Sequence, residues 1–109
     1  MIVDDVADMQ DLLGELLENE GYEVDVASNG ADAINLLDRS DRPCAVLVDL
    51  IMPGLVGQEL IEYLRSDEKL AKIPLAIVSG SPQLAPEGYT VFSKPVEPKA
   101  LLEFVKRQC

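Results

Sequence analysis

Residues 44–48 read Cys-Ala-Val-Leu-Val and lead directly into Asp49. A strand that is apolar at every position is buried on both faces, and such strands belong to parallel sheets covered by helices on two sides. Residues 1–3, 75–78 and 90–92 are shorter runs that we interpret as further strands. The sequence therefore predicts an α/β fold.

Segments with helical patterns alternate with these strands. Apolar residues recur at three- and four-residue spacing in 7–19, 31–39 and 56–66, and Pro98 suits the first turn of a closing helix. Residues 23–26 alternate polar and apolar, which predicts one more strand. Five strands joined by right-handed crossovers favour a doubly wound parallel sheet of order 2-1-3-4-5, the flavodoxin-like arrangement.

The last crossover is too short for the usual helix. Only eleven residues separate Val78 from Thr90, fewer than a helix and its two loops normally need. We therefore expect the helix between the fourth and fifth strands to be short or absent. The length of 109 residues is that of one domain, here 1–109.

The charge and the missing histidines exclude several classes of protein. A net charge of −11 argues against direct nucleic-acid binding, which relies on Lys and Arg against phosphates. The chain has no histidine, which excludes Ser-His-Asp and Cys-His catalysis, His-ligated zinc and a phosphohistidine carrier. No apolar run approaches the length of a membrane span, so we expect no membrane insertion.

The two cysteines do not look like a disulfide framework. Cys44 opens an apolar run and Cys109 is the last residue of the sequence, so we expect separate thiols in a reducing, cytoplasmic compartment. The start of the chain also lacks the basic and apolar regions of a signal peptide.

Polar residues follow four of the five predicted strands, at the edge where such sheets bind ligands. They are Asp4, Asp5, Asp49, Ser79, Gly80 and Lys94. Any one of them alone is typical of a turn or a helix cap. Because strands 1 and 3 are neighbours in the predicted order, however, the three aspartates should converge.

Three converging carboxylates need compensation. At about 5 Å each pair repels by roughly 3 kcal/mol at an effective dielectric near 20. Either a pKa rises or a cation binds, and a set of oxygen ligands favours Mg²⁺, with Mn²⁺ as a substitute. With Lys94 and Ser79 nearby, Asp49 could then act as the nucleophile in phosphoryl transfer.

These residues resemble the pattern of a response-regulator receiver domain of two-component signalling. The resemblance covers essentially the whole chain and is carried by Asp49-x-x-Met52-Pro53-x-x-x-Gly57 together with the acidic pair, Ser79-Gly80 and Lys94-Pro95. It implies that Asp49 is the phosphoacceptor and that phosphoryl groups come from a sensor histidine kinase or a histidine phosphotransfer protein. The output partner is unknown.

The resemblance also implies roles for the other residues. Asp5, Asp49 and the backbone carbonyl of Ile51 would hold Mg²⁺, and Asp4 would help through a water. Lys94, Ser79 and Gly80 would contact the phosphoryl oxygens, and the Lys94–Pro95 bond is commonly cis in such domains. A receiver catalyses its own phosphorylation and dephosphorylation and is not a turnover enzyme.

Two features depart from the family's pattern. Receivers usually carry an aromatic residue three positions before the lysine, where this chain has Val91. Phe92 should point to the opposite face of its strand, and Tyr89 is displaced as well. The second departure is the short link between strands 4 and 5, which resembles that of a minority of receivers with a reduced fourth helix. It alters the surface where partners commonly dock.

Other functions stay open or are disfavoured. A receiver-like adaptor that signals by docking alone is the main alternative, although it has no use for three clustered acids. An aspartate-nucleophile phosphatase usually has a second acid at the place of Ile51. A flavodoxin would need a phosphate-binding first loop, which Asp4 and Asp5 would repel. The sequence leaves open whether the chain acts alone or is part of a hybrid kinase or larger regulator.

Overall fold

The structure is a computed structural model, and it describes residues 1–39, 43–49, 57–80 and 88–109. Strands and helices alternate along the described chain. The strands are β1 (Ile2–Val3), β2 (Val26–Ala27), β3 (Val46–Asp49), β4 (Leu75–Ser79) and β5 (Thr90–Ser93). The helices are α1 (Ala7–Glu18), α2 (Gly30–Arg39), α3 (Gly57–Ser66) and α4 (Pro98–Gln108), with a 3₁₀ turn at Leu70–Lys72.

The five strands form one parallel sheet of order β2-β1-β3-β4-β5. This confirms the predicted doubly wound fold. Strands β1 and β3 are adjacent, with Val3 opposite Val48, and Asp49 pairs with Val78 of β4. The carboxyl ends of β1, β3 and β4 therefore reach the same edge of the sheet.

Each face of the sheet carries its own apolar core. On one face, β3 and β4 contribute Val46, Val48 and Ile77, which pack against α2 and α3. On the other face, Leu47 and Val78 pack against α1 and α4. This double burial is why the central strands are apolar at successive positions, and it fixes both ends of each central strand relative to the helices.

Helix boundaries agree with the sequence pattern to within about one residue, while the strands differ more. β2 contains only Val26 and Ala27, because these are the residues that pair with Ile2 and Val3 of β1. β3 includes Asp49 and β4 includes Ser79, so both residues lie in the last position of a strand. Between β4 and β5 the described residues, Gly80 and 88–89, contain no helix; the rest of that link lies outside the described residues.

The expectation of two separate thiols is wrong. Cys44 and Cys109 form a disulfide, with their Cα atoms 5.5 Å apart and a sequence separation of 65. α4 runs antiparallel to the strands, so its last residues return to the edge where β3 begins. The cysteines therefore give no support to a reducing compartment.

Among the helices in the described part of the chain, none combines the length and apolar character needed to cross a membrane.

Candidate functional site

Asp4 follows β1 and is held in place by its backbone and its side chain. Its N–H donates to the carbonyl of Ala27 at 3.0 Å, which extends the β1–β2 pairing. Its Oδ1 accepts the N–H of Val6 at 2.9 Å, just before α1 starts. With 2% exposure Asp4 is almost fully buried. A carboxylate is therefore fixed at the centre of this edge.

Two further carboxylates converge on Asp4. Asp49 ends β3 and is also buried, whereas Asp5 is exposed. One oxygen from each of Asp4, Asp5 and Asp49 can be chosen so that all three lie within 4.8 Å of one another. The predicted convergence of the three aspartates is thus observed.

Lys94 brings an ammonium group into contact with two of these acids. Its Nζ lies 3.0 Å from Asp49 Oδ2 and 3.4 Å from Asp4 Oδ2. Its backbone N–H donates to the carbonyl of Ser79 at 2.9 Å, and the Lys94–Pro95 bond is cis as expected. The ammonium group therefore bridges the carboxylates from β1 and β3.

The pKa of Asp4 and that of Lys94 both respond to this arrangement. Burial raises the pKa of the Asp4 carboxyl, and the charge of Asp49 raises it further. The hydrogen bond from the Val6 N–H and the charge of Lys94 lower this pKa, but they do not cancel the rise. Partial burial by itself lowers the pKa of Lys94, but its hydrogen bond to Asp49 and the two negative charges outweigh this effect and raise it. Ionising Asp4 is therefore costly in the folded state even with the ammonium group beside it.

The remaining predicted site residues lie at the same edge or outside the described residues. Ser79 is buried at the end of β4, opposite Ser93 in the strand pairing, and Gly80 follows it on the exposed side. Ile51, which the resemblance assigned a backbone ligand role, lies outside the described residues. So do Met52 and Pro53 of the motif.

The aromatic residues around β5 take the faces that the alternation of a strand predicts. Val91 packs in the core on the α3 side, and Phe92 packs on the other face, where its ring meets Phe104 at 5.9 Å between centroids. Tyr89 lies on the Val91 side, with the guanidinium of Arg65 5.9 Å from its ring centroid. No aromatic ring therefore occupies position 91.

Gln10 is a supporting residue that the sequence reasoning missed. Its side-chain amide donates to the backbone carbonyl of Asp4 and, at 3.2 Å, to Ser28 Oγ. It thus ties the loop after β1 to the loop after β2. The only sequence signal was a polar residue on the first turn of α1, near the acidic pair.

The group of side chains fits a small divalent cation. Three carboxylates converge, and every candidate ligand atom in the cluster is a carboxylate oxygen. Mg²⁺ prefers such oxygens and keeps several of its waters. Asp5 is exposed, so the cluster is open to water on that side. The chemistry of these donors therefore matches the predicted metal.

Comparison with known proteins gives a consistent family. The family model "Response regulator receiver domain" matches residues 1–106. Protein PilH of Pseudomonas aeruginosa is 32% identical, with 96% of this chain and 92% of PilH covered. "Probable transcriptional regulator ycf29" of Porphyra purpurea is 33% identical over 97% of this chain, which spans only 54% of that relative's length.

A solved structure shows the same likeness in three dimensions. The signal receiver domain of a signal transduction histidine kinase from Syntrophus aciditrophicus superposes with a TM-score of 0.86 at 26% identity. The comparison covers 98% of this chain and 86% of that one. Together with the family match and the acidic edge of the sheet, this shows that the chain belongs to the response regulator receiver domains of two-component systems.

Proposed function

We propose that this receiver domain accepts a phosphoryl group on Asp49 and thereby switches the binding of a partner. The observation that carries the proposal is the arrangement at one edge of the sheet. The ammonium group of Lys94 contacts the buried carboxylates of Asp4 and Asp49, and the carboxylate of Asp5 lies beside them. A domain gains no stability from gathering three acids. The cluster is accounted for if it serves to hold a cation and a phosphoryl group.

The metal would be Mg²⁺, for which Mn²⁺ can substitute. Asp5, Asp49 and the backbone carbonyl of Ile51 would hold it, and Asp4 would act through a water. When bound, the metal supplies positive charge that offsets the oxygens of the incoming phosphoryl group. The exposed position of Asp5 and the convergence of three carboxylates support this assignment.

Asp49 would be the nucleophile. A carboxylate oxygen forms a bond to phosphorus while the bond between phosphorus and the donor breaks, and the donor leaves with its electron pair. Lys94, whose Nζ lies 3.0 Å from Asp49 Oδ2, would stabilise the negative charge on the transferred group. Ser79 and Gly80 follow the neighbouring strand and would hydrogen-bond the phosphoryl oxygens.

The phosphoryl donor would be a sensor histidine kinase or a histidine phosphotransfer protein, as is usual for this family. The similar domain from Syntrophus aciditrophicus belongs to a signal transduction histidine kinase, which supports such a pairing. The domain would catalyse its own phosphorylation and dephosphorylation without turning over a separate substrate. We place it in the cytoplasm, where these donors present their phosphohistidines.

A docking adaptor without phosphorylation is the competing proposal. Val91 in place of the usual aromatic residue favours it, because one half of the family's switch is missing. The acidic cluster argues against it, since docking alone requires no convergence of buried carboxylates. Metal binding separates the two proposals, because an adaptor would show no thermal shift on addition of Mg²⁺.

Incubation with acetyl phosphate tests the phosphoacceptor proposal. The wild type should gain the mass of one phosphoryl group in Mg²⁺ and none in EDTA. Asp49→Asn should gain nothing, while the exposed substitution Asp38→Asn, which removes the same charge from α2, should behave as the wild type does. No modification of the wild type in Mg²⁺ would contradict the proposal.

A further inference from the structure

The disulfide lies at the opposite edge of the sheet from the acidic cluster. Cys44 precedes β3, whose other end carries Asp49, and Cys109 follows the last turn of α4. The two cysteines are far apart in sequence and are joined at the start of a central strand. The bond therefore connects α4 covalently to the central part of the sheet.

The disulfide joins two exposed residues. Cys44 and Cys109 are exposed, and they form one side of a cavity of about 200 Å³ that Leu17, Tyr22 and Val105 also line. Exposed disulfides are the labile and regulatory ones, because a thiolate can approach a sulfur without unfolding the protein. The position of this bond therefore allows exchange in the native state.

Among the described residues, few other contacts hold the end of α4. Leu101 and Val105 are buried against the sheet, but the residues after Val105 are exposed. In the described residues, the one ion pair recorded for this turn joins Lys106 Nζ to Glu20 at 3.8 Å, with both side chains substantially exposed. Such pairs contribute little. Within the part of the chain that the structure describes, the disulfide is therefore the main attachment of the residues after Val105.

We propose that Cys44 and Cys109 are a redox pair whose state decides whether the end of α4 is fastened to the sheet. A dithiol reductant attacks one sulfur through its thiolate, forms a mixed disulfide and releases the other cysteine as a thiolate. The second thiol of the reductant then displaces the first cysteine. Two electrons pass to the protein, both cysteines take up protons, and the reductant leaves as a disulfide.

The reverse reaction needs a disulfide oxidant, such as oxidised glutathione, which is reduced to two thiols as the protein bond closes. α4 follows directly from the segment that carries Lys94, and β3 carries Asp49. The pair thus joins the same two parts of the chain that meet in the acidic cluster. Redox state would be a second input to the domain, separate from phosphorylation.

Native-state reduction is the first test. The full chain, without denaturant, is treated with dithiothreitol and alkylated with iodoacetamide, and intact mass is measured. Two alkyl groups should be added after reduction and none before it, and oxidised glutathione should restore the unmodified mass. A bond that is reduced only after denaturation, or thiols that glutathione disulfide fails to close, would overturn the proposal.

Hydrogen exchange then tests the effect on α4. Reduction should speed amide exchange in residues 106–109 by about tenfold or more, because the last turn frays when its attachment is lost. The last turn of α3, on the other face of the sheet, is the internal control and should not change. Cys44→Ser should show the fast exchange with or without dithiothreitol. Equal exchange in the oxidised and reduced wild type would refute the switch, and no phosphoryl group enters either test.

Discussion

Replacing Asp4 by Asn tests the electrostatic account of the cluster. Asp4 is almost fully buried, and its carboxylate lies within 4.8 Å of those of Asp5 and Asp49. The substitution keeps an oxygen to accept the Val6 N–H and removes one charge. We therefore expect Asp4→Asn to raise the stability of the metal-free protein.

The expected gain follows from opposing interactions. At an effective dielectric near 20, a separation of 4.8 Å, which is the upper limit for these carboxylate oxygens, gives a repulsion from Asp49 of about 3.5 kcal/mol. Attraction to Lys94 at 3.4 Å is about 5 kcal/mol. The exposed Asp5 adds roughly 1 kcal/mol of repulsion, and burial of the carboxylate costs several kcal/mol more. We expect a net gain on the order of 1–2 kcal/mol, or about 4–9 °C in Tm.

The pH dependence of this gain has a definite sign. Because the pKa of Asp4 is raised in the folded state, the native protein binds a proton more readily than the unfolded chain does. The destabilisation caused by ionised Asp4 is absent below the pKa that this carboxyl has in the unfolded chain. It increases as pH rises above that value and is complete above the pKa in the folded protein. The advantage of Asp4→Asn should therefore be present at neutral pH and disappear toward acid pH.

Thermal unfolding in EDTA and in Mg²⁺ measures both effects. The wild type should gain stability from Mg²⁺ by mass action, and Asp4→Asn should gain less. Asp38→Asn, with the same change of charge on exposed α2, should leave the response to Mg²⁺ unchanged. A lower Tm for Asp4→Asn in EDTA, or an undiminished response to Mg²⁺, would refute the reasoning.

Three further predictions concern other contacts. Lys94→Ala should lower the free energy of unfolding in EDTA by about 1–3 kcal/mol, because the two carboxylates that Lys94 contacts lose this cation. Urea unfolding measures this loss, and an unchanged free energy of unfolding would contradict a stabilising role of the ion pairs. Reduction of Cys44–Cys109, which closes a loop of 65 residues, should cost about 4 kcal/mol, or roughly 15–20 °C in Tm by calorimetry, whereas an unchanged Tm would mean that the bond does not constrain the unfolded chain. Leu60→Ala should cost about 2–5 kcal/mol because Leu60 has 0% exposure, and Leu12→Ala, at a residue with 56% exposure, should change stability by less than about 1 kcal/mol.

The sheet and the site could be predicted because their signals are local. β3 and β4 carry apolar residues at successive positions, as strands buried on both faces require. This pattern alone indicates central strands of a parallel sheet. Once the strand order is fixed, the residue that ends each strand has a known neighbour. That is why the sequence alone places Asp49, Asp4 and Lys94 together.

The disulfide could not be placed with the same reasoning. Nothing within a few residues of Cys44 marks it as the partner of Cys109. Two cysteines in a chain without a disulfide framework indicated separate thiols in a reducing compartment. A topological signal was nevertheless present. A helix that follows a parallel strand returns toward the edge where the strands start, so the end of α4 had to lie near the beginning of a strand.

The strand ends and the role of Gln10 also lay beyond sequence reasoning. β2 is shorter than the alternation of residues 23–26 suggested, because only Val26 and Ala27 pair with β1. Pairing depends on the partner strand and not on the pattern of one segment. The contacts of Gln10 depend on how two loops meet, which periodicity does not report.

The position of the acquired phosphoryl group tests the central claim most directly. After reaction with acetyl phosphate in Mg²⁺, borohydride reduction converts a phosphorylated aspartate to homoserine, and fragmentation of the peptide by mass spectrometry locates it. The account predicts homoserine at position 49 in the wild type, and none in a sample prepared in EDTA. Homoserine at position 4 or 5 instead, or at no position, would contradict it.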